Sequence, residues 1–191
     1  MRDVFIIGAK GIGNYGGYET FVKRLIENND NDNDDKVKLH ISCKYNGQGA
    51  MDESKLKDAI VLDDCHFIYR NAECFKIKVP EWLGPAQAIY YDIAAIKECI
   101  KQIKKKNISH PIVYVLACRI GPFVGKYVKQ LHKLGGSFFV NPDGHEWMRA
   151  KWPKPVRKYW KISEAGMIKY ADLVICDSIN IEKYGRLQEI T

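Results

Sequence analysis

The sequence has no stretch near the roughly 18 consecutive apolar residues that a membrane-crossing helix needs. Its opening apolar run, Val4 to Ile7, is too short for a signal peptide and is followed by no small-residue cleavage site. Both absences point to a cytosolic protein. No Cys-x-x-Cys pair occurs among the six cysteines, Cys43, Cys65, Cys74, Cys99, Cys118 and Cys176. Disulfide frameworks and zinc knuckles need clustered spacing, so these read as reduced thiols acting as small core hydrophobes. Asp63-Asp64-Cys65-His66 offers metal-ligand types but no distant partner for them, and reads as a loop. Internal repeats are missing too. What is present is 191 residues, 46% apolar and 28% charged, the composition of one ordinary globular domain. The net charge of +7 calls for an anionic partner: phosphate, lipid head groups or nucleic acid.

Hydrophobic periodicity alternates between strand and helix. Val4 to Ile7 is an all-apolar run ending in Gly8, as in a buried parallel strand that feeds a glycine-rich turn. Phe21, Val22, Leu25 and Ile26 then recur at helical spacing within 18–28, and Asn28 to Asp35 reads as a solvated polar loop. Val37 to Cys43 reads as the second strand, and Ile60 to Leu62 and Phe67 to Tyr69 as short strands. A helix is expected over 85–106, opened by Pro85 and closed by the basic run Lys104 to Lys106, which suits the negative end of the helix dipole. Strands at 112–117, 137–140 and 173–176 and helices at 122–134 and 154–170 complete the series, with Ser178 as an N-cap for one more helix. This alternation predicts an α/β fold, a Rossmann-like doubly wound parallel sheet covered by helices on both faces.

Gly11-Ile12-Gly13-Asn14-Tyr15-Gly16 has the G-x-G-x-x-G form between a strand and a helix, where backbone N–H groups can hold a diphosphate. It begins three residues after Gly8, however, and the second strand ends in Cys43-Lys44-Tyr45 with no acid for a ribose. An NAD(P)-binding oxidoreductase is disfavoured on both counts. Four glycines between 11 and 17 give closer backbone approach than a turn requires, which favours a ligand. Glu19, in the first helical turn, serves either as a dipole and capping group or as a substrate contact.

Asn141-Pro142-Asp143-Gly144-His145-Glu146-Trp147 follows a strand, and in open α/β sheets ligands gather at the carboxyl ends of strands. Two carboxylates, an imidazole and an indole on one loop read as a site. Between Arg149 and Lys161 six basic residues occur with no acid. Lys154, Arg157, Lys158 and Lys161 share one helical face, with Val156, Tyr159 and Trp160 on another. Two readings stand: an interfacial helix meeting anionic lipid, or an amphipathic helix docked on the sheet with a solvated basic face. No nucleic-acid motif accompanies it.

Gly16-Gly17-Tyr18-Glu19-Thr20-Phe21, Cys118-Arg119-Ile120-Gly121-Pro122-Phe123, the 141–147 segment, Lys151-Trp152 with Pro155 to Trp160, Tyr170-Ala171-Asp172 and Cys176-Asp177-Ser178 together resemble the N-terminal domain of bacterial rhamnosyltransferase-like members of glycosyltransferase family 4. The resemblance spans nearly the whole chain. It implies the acceptor-side half, residues 1–191, of a retaining GT-B enzyme of surface polysaccharide synthesis, with a second, donor-binding domain absent and this half inactive alone. The implied partners are a nucleotide-sugar, a lipid-linked saccharide acceptor and an anionic membrane surface, with no nucleic acid. No cofactor or obligatory metal is implied, and the enzyme would work peripherally at the inner face of the cell membrane. Asp143, His145 and Glu146 would position the sugars, the family's loop histidine falling on either Asp143 or His145. Gly13, Gly16, Gly17, Glu19 and Arg119 would lie near the diphosphate, and Lys154, Arg157, Lys158, Trp160 and Lys161 would face the membrane. A non-catalytic binding module is the alternative.

Overall fold

The computed structural model describes residues 2–31 and 37–176, and the reading of Ser178 as an N-cap lies outside them. Among the described residues one eight-stranded sheet runs in the order β3-β4-β5-β2-β1-β6-β7-β8. Its strands are β1 (Asp3–Ile7), β2 (Lys38–Lys44), β3 (Ala59–Asp63), β4 (His66–Tyr69), β5 (Ala72–Ile77), β6 (Ile112–Leu116), β7 (Ser137–Asn141) and β8 (Leu173–Val174). Every pairing from β5 through β2, β1, β6 and β7 to β8 is parallel. If the β3–β4 hairpin is set aside, these six strands follow the 3-2-1-4-5-6 order of a Rossmann sheet. The expected α/β Rossmann-like fold is present.

The helices are α1 (Gly17–Asn31), α2 (Gln87–Lys106), α3 (Gly121–His132) and α4 (Lys154–Tyr170). Successive residues of β1 point to opposite faces, as the strand period demands. Phe5 and Ile7 join one core with α2, α3 and Met167 of α4. Ile6 joins the other, with Val22 and Ile26 of α1 and Met51 and Leu56 of the segment after β2. Both faces are therefore dry, which is why β1 and β6 are apolar along almost their whole length, whereas β2 buries His40, Ser42 and Lys44 between its apolar residues. Helix α2 ends where Asn107 turns left-handed, its amide bonded back to the Ile103 and Lys104 carbonyls, and three lysines sit in its last turn. Helices α3 and α4 meet at Gly121, where any Cβ would run into the Ser163 backbone.

Three local expectations change. Ile60 to Leu62 and Phe67 to Tyr69 are an antiparallel hairpin at the sheet edge, which β5 continues antiparallel to β4. The Asp63 carboxylate makes the turn by accepting the Cys65 N–H at 2.7 Å, so Asp63 to His66 is a turn. Strand β5 is not apparent from periodicity because Glu73 and Lys76 interrupt its apolar residues. Finally, α1 runs through Asn28 to Asn31, where a polar loop was expected.

Candidate functional site

Parallel strands put all their carboxyl ends on one edge, here called the upper edge, and strand order reverses between β1 and β6. A crevice opens at that switch point, where ligands of open α/β sheets bind. It encloses about 290 Å³ between Lys10 after β1, Ala117 and Arg119 after β6, Glu146 after β7, and Trp152 and Trp160 at α4. Of the two corners singled out in the sequence, the 141–147 loop walls the crevice through Pro142 and Glu146, while the turn after β1 reaches it only through Lys10, ahead of its glycines.

Its floor is a close backbone approach. Gly8 has φ +108°, and a Cβ there would collide with the Leu116 carbonyl of β6. Next to it Ala117 holds φ +91°, with its N–H donated to the Asn141 carbonyl at 3.0 Å. Arg119 donates from Nη1 to the Gly8 carbonyl at 3.0 Å and to both Asp92 oxygens at 3.2 and 3.3 Å. Asp92 is fully buried on α2. Burial pushes its carboxyl up to about 6 against the opposing pull of Arg119. Tyr159 of α4 fixes the other side of Arg119, its hydroxyl donating to the Arg119 carbonyl at 2.8 Å. Arg119 is the one member of the predicted diphosphate set that lines the crevice.

Gly13, Gly16, Gly17 and Glu19 do not line it. They form the loop above β1 and the start of α1, where Glu19 Oε1 accepts the Lys10 N–H at 3.1 Å and the Gly13 N–H reaches the Glu19 carbonyl at 3.1 Å. This is a loop-closing role for Glu19, and it leaves Lys10 as the turn's contribution to the cleft.

On the β7 side, Glu146 accepts the Trp152 indole N–H at 2.8 Å and pairs with Arg149 Nη1 at 2.8 Å. Lys151 lies 3.8 Å from the same carboxylate and 4.7 Å from the Trp152 ring. The side chains of Asp143 and His145 lie outside the described residues. Trp160, expected to face the membrane with the basic residues, instead turns into the crevice, its ring 6.2 Å from that of Trp152. Its indole N–H is buried without a hydrogen-bond partner. An orphaned donor of this kind costs about 1–3 kcal/mol, and a ligand acceptor would relieve it. Lys154, Arg157, Lys158 and Lys161 are exposed as expected. Arg157 donates to the Trp147 carbonyl at 2.7 Å, and Lys161 sits 5.4 Å from the Trp147 ring.

Burial raises the thiols of Cys43 and Cys99, so neither supplies a thiolate. Among the described residues no group of His, Cys, Asp and Glu is arranged to hold a metal ion, and no helix is long and apolar enough to cross a membrane. The residues not anticipated are Lys10, Lys44, Asp92 and Ala117. Of these Asp92 left a signal, as a lone acid on the apolar α2 stripe that includes Ile96, Cys99 and Ile103.

The model of a domain of unknown function, DUF1972, matches residues 1–189. The chain belongs to this family. No curated protein matches it. For a DUF1972 chain the switch-point crevice, with Arg119 clamped at its centre and two indoles on its wall, is therefore the feature from which function has to be argued.

Proposed function

We propose that the chain is the acceptor-side domain of a retaining sugar transferase, holding a lipid-linked or free saccharide in the switch-point crevice while a second domain presents a nucleotide-sugar. The observation that carries this reading is the composition of the crevice: the Trp152 and Trp160 rings give apolar platforms for sugar faces, and the Glu146 carboxylate beside them accepts hydroxyl protons. The linked motifs that resemble family 4 glycosyltransferases support it independently.

In this reading Arg119 and Lys10 offset the charge that develops on the departing nucleoside diphosphate, a task cationic side chains perform without a metal. The acceptor hydroxyl attacks from the face the diphosphate leaves, so configuration is retained. Glu146, with Asp143 and His145 on the same loop, positions the sugars. The exposed basic face of α4, with Met148 and Ile162 exposed nearby, would hold the domain against anionic lipid at the inner side of the cell membrane.

Saturation-transfer NMR on the chain with oligosaccharide acceptors tests the reading. Sugar protons should receive saturation, and Trp152→Ala should weaken binding roughly tenfold through the lost stacking surface. If no saccharide receives saturation from the folded chain at millimolar concentration, the transferase reading fails.

A further inference from the structure

A second cavity of about 410 Å³ adjoins the crevice, sharing Lys10 and Arg119 with it and extending toward Lys44, Gln48, Gln87 and Tyr91. It lies over the carboxyl end of β2, and only its Lys10 and Arg119 enter the account above, as the cations facing a departing diphosphate. Lys44 is the last residue of β2 and is 5% exposed. Its ammonium donates to the Gln48 carbonyl at 3.2 Å and to Gln87 Oε1 at 2.9 Å. Gly47 and Gly49 run the loop past the Lys44 and Lys10 side chains, at a distance where a Cβ on either would press against them. The loop therefore holds two lysine side chains side by side, which like charges resist.

No carboxylate lines this cavity. Three positive charges, on Lys10, Lys44 and Arg119, stand against one negative charge, that of Asp92 bound to Arg119, and leave two uncompensated. Glu81 favours the Lys44 ammonium from a distance, but its carboxylate is committed to the Asn46 amide at 3.0 Å. Burial and the neighbouring Lys10 both pull Lys44 below its ordinary value, the mark of a cation still lacking a counter-ion. The fourth wall is Pro85 together with Gln87 and Ala88 of the opening turn of α2, which has no side-chain cap and no acid in its first turn. The positive end of that 20-residue helix adds to the field of the three side chains.

We propose that this cavity binds a phosphoryl group, the dianionic end of a phosphate monoester or a diphosphate. A surplus of two positive charges matches a dianion, whereas a carboxylate would neutralise half of it. Lysine and arginine donors together with amide groups satisfy the several oxygens of a tetrahedral anion. The proposal deepens the reading above at Lys10 and Arg119 and rests on it there, while the charge and geometry at Lys44 carry it even if no sugar is transferred.

Amide NMR shifts at Gly47, Gly49, Gln87 and Ala88 provide the test, with inorganic phosphate, pyrophosphate and a short polyprenyl phosphate in micelles as probes, against sodium chloride at matched ionic strength. Saturable shifts with at least one phosphate probe are expected. Exposed Lys10→Gln should weaken binding roughly tenfold, the effect of one lost charge-assisted contact, and Lys44→Met should abolish it. A response confined to the polyprenyl phosphate assigns the site to a lipid head group, and an equal response to pyrophosphate assigns it to a soluble ligand. Thermal melts of both variants establish folding, and Lys10→Gln, at a surface position, keeps the test valid if Lys44→Met unfolds. Shifts no larger than with chloride, or affinity unchanged in Lys10→Gln, would overturn the proposal. Trp152→Ala should leave phosphate binding intact, so failure of the saccharide reading would be seen separately.

Discussion

At the lower edge of the sheet, where the strands begin, charges are matched and closed. Lys38 Nζ lies 2.6 Å from Glu73, Lys106 pairs with the same carboxylate, and Asp3 meets His40 Nε2 at 2.7 Å, the buried imidazole stacked 4.2 Å from the Phe5 ring. At the upper edge stand Lys10, Lys44 and Arg119 with one buried acid, Asp92, paired to Arg119, and the surface is folded into two adjoining cavities. The same parallel sheet thus ends in a neutral seal below and an unbalanced, concave positive surface above. There two cations, buried Lys44 and half-buried Arg119, stand against one buried acid with exposed Lys10 beside them, and the phosphoryl site proposed above rests on that imbalance.

The largest expected effect comes from breaking the upper edge at its floor. Gly8→Ala places a methyl group against the Leu116 carbonyl at a φ that L-residues avoid, and should cost roughly 3 kcal/mol or more in urea unfolding. A loss below about 1 kcal/mol would mean that β1 and β6 can part without penalty, and that the crevice floor is softer than its geometry indicates.

The two edges should also answer pH with opposite signs. Asp92 binds a proton more readily folded, at about 6, than unfolded, at 3.8. Between those values the native state carries more protons, so stability falls as pH rises through the window, by up to about 3 kcal/mol. Asp92→Asn should flatten that stretch of the curve. At Glu73 burial alone would raise the carboxyl, but Lys106 and Lys38 outweigh it and hold it near 2, against 4.5 unfolded. Its contribution is present above about 4.5 and is lost as pH falls toward 2. Because Glu73 is more than a third exposed, solvent screening limits that contribution to about 1 kcal/mol or less, so Glu73→Gln should remove only a shallow acid limb. Urea midpoints measured from pH 3 to 8 for the wild type and both variants would show whether the slopes separate as stated.

The parallel winding was legible because strands buried on both faces are continuous apolar runs, as Phe5 to Ile7 and Val113 to Leu116 are. The two hairpin strands were legible as short apolar runs, though not their antiparallel pairing, and β5 was not legible, since Glu73 and Lys76 break its run into pieces that periodicity alone cannot assign. At the candidate site, Arg119 and the 141–147 loop stood out through residue type and position after a strand. Lys44 passed only as the missing ribose acid, because its burial depends on how the adjoining 46–49 loop folds back and on the distant Gln87 closing over it. Trp160 was assigned both to the aromatic side of α4 and, with the lysines, to the membrane face, and the crevice position agrees only with the first. Whether that side meets lipid or a cleft is decided by how α4 packs, which no helical wheel contains.

A comparably small effect tests whether the upper edge also stores backbone strain. Among the described non-glycine residues with positive φ, Arg70, Asn107 and His110 lie at 49–52°, inside the left-handed well, while Ala117 alone stands at 91°, beyond it. Its conformation is enforced by the bond to Asn141 and by the turn that aims Arg119 at Gly8. Strain of this kind costs about 1–3 kcal/mol, and glycine would relieve it while giving back about 0.4–1 kcal/mol through a freer unfolded chain. Ala117→Gly should therefore raise the urea midpoint by the equivalent of about 1 kcal/mol with an unchanged m-value. A midpoint that falls would mean that the Cβ packing of Ala117 outweighs its φ, and that the crevice floor is held by fit instead of by force.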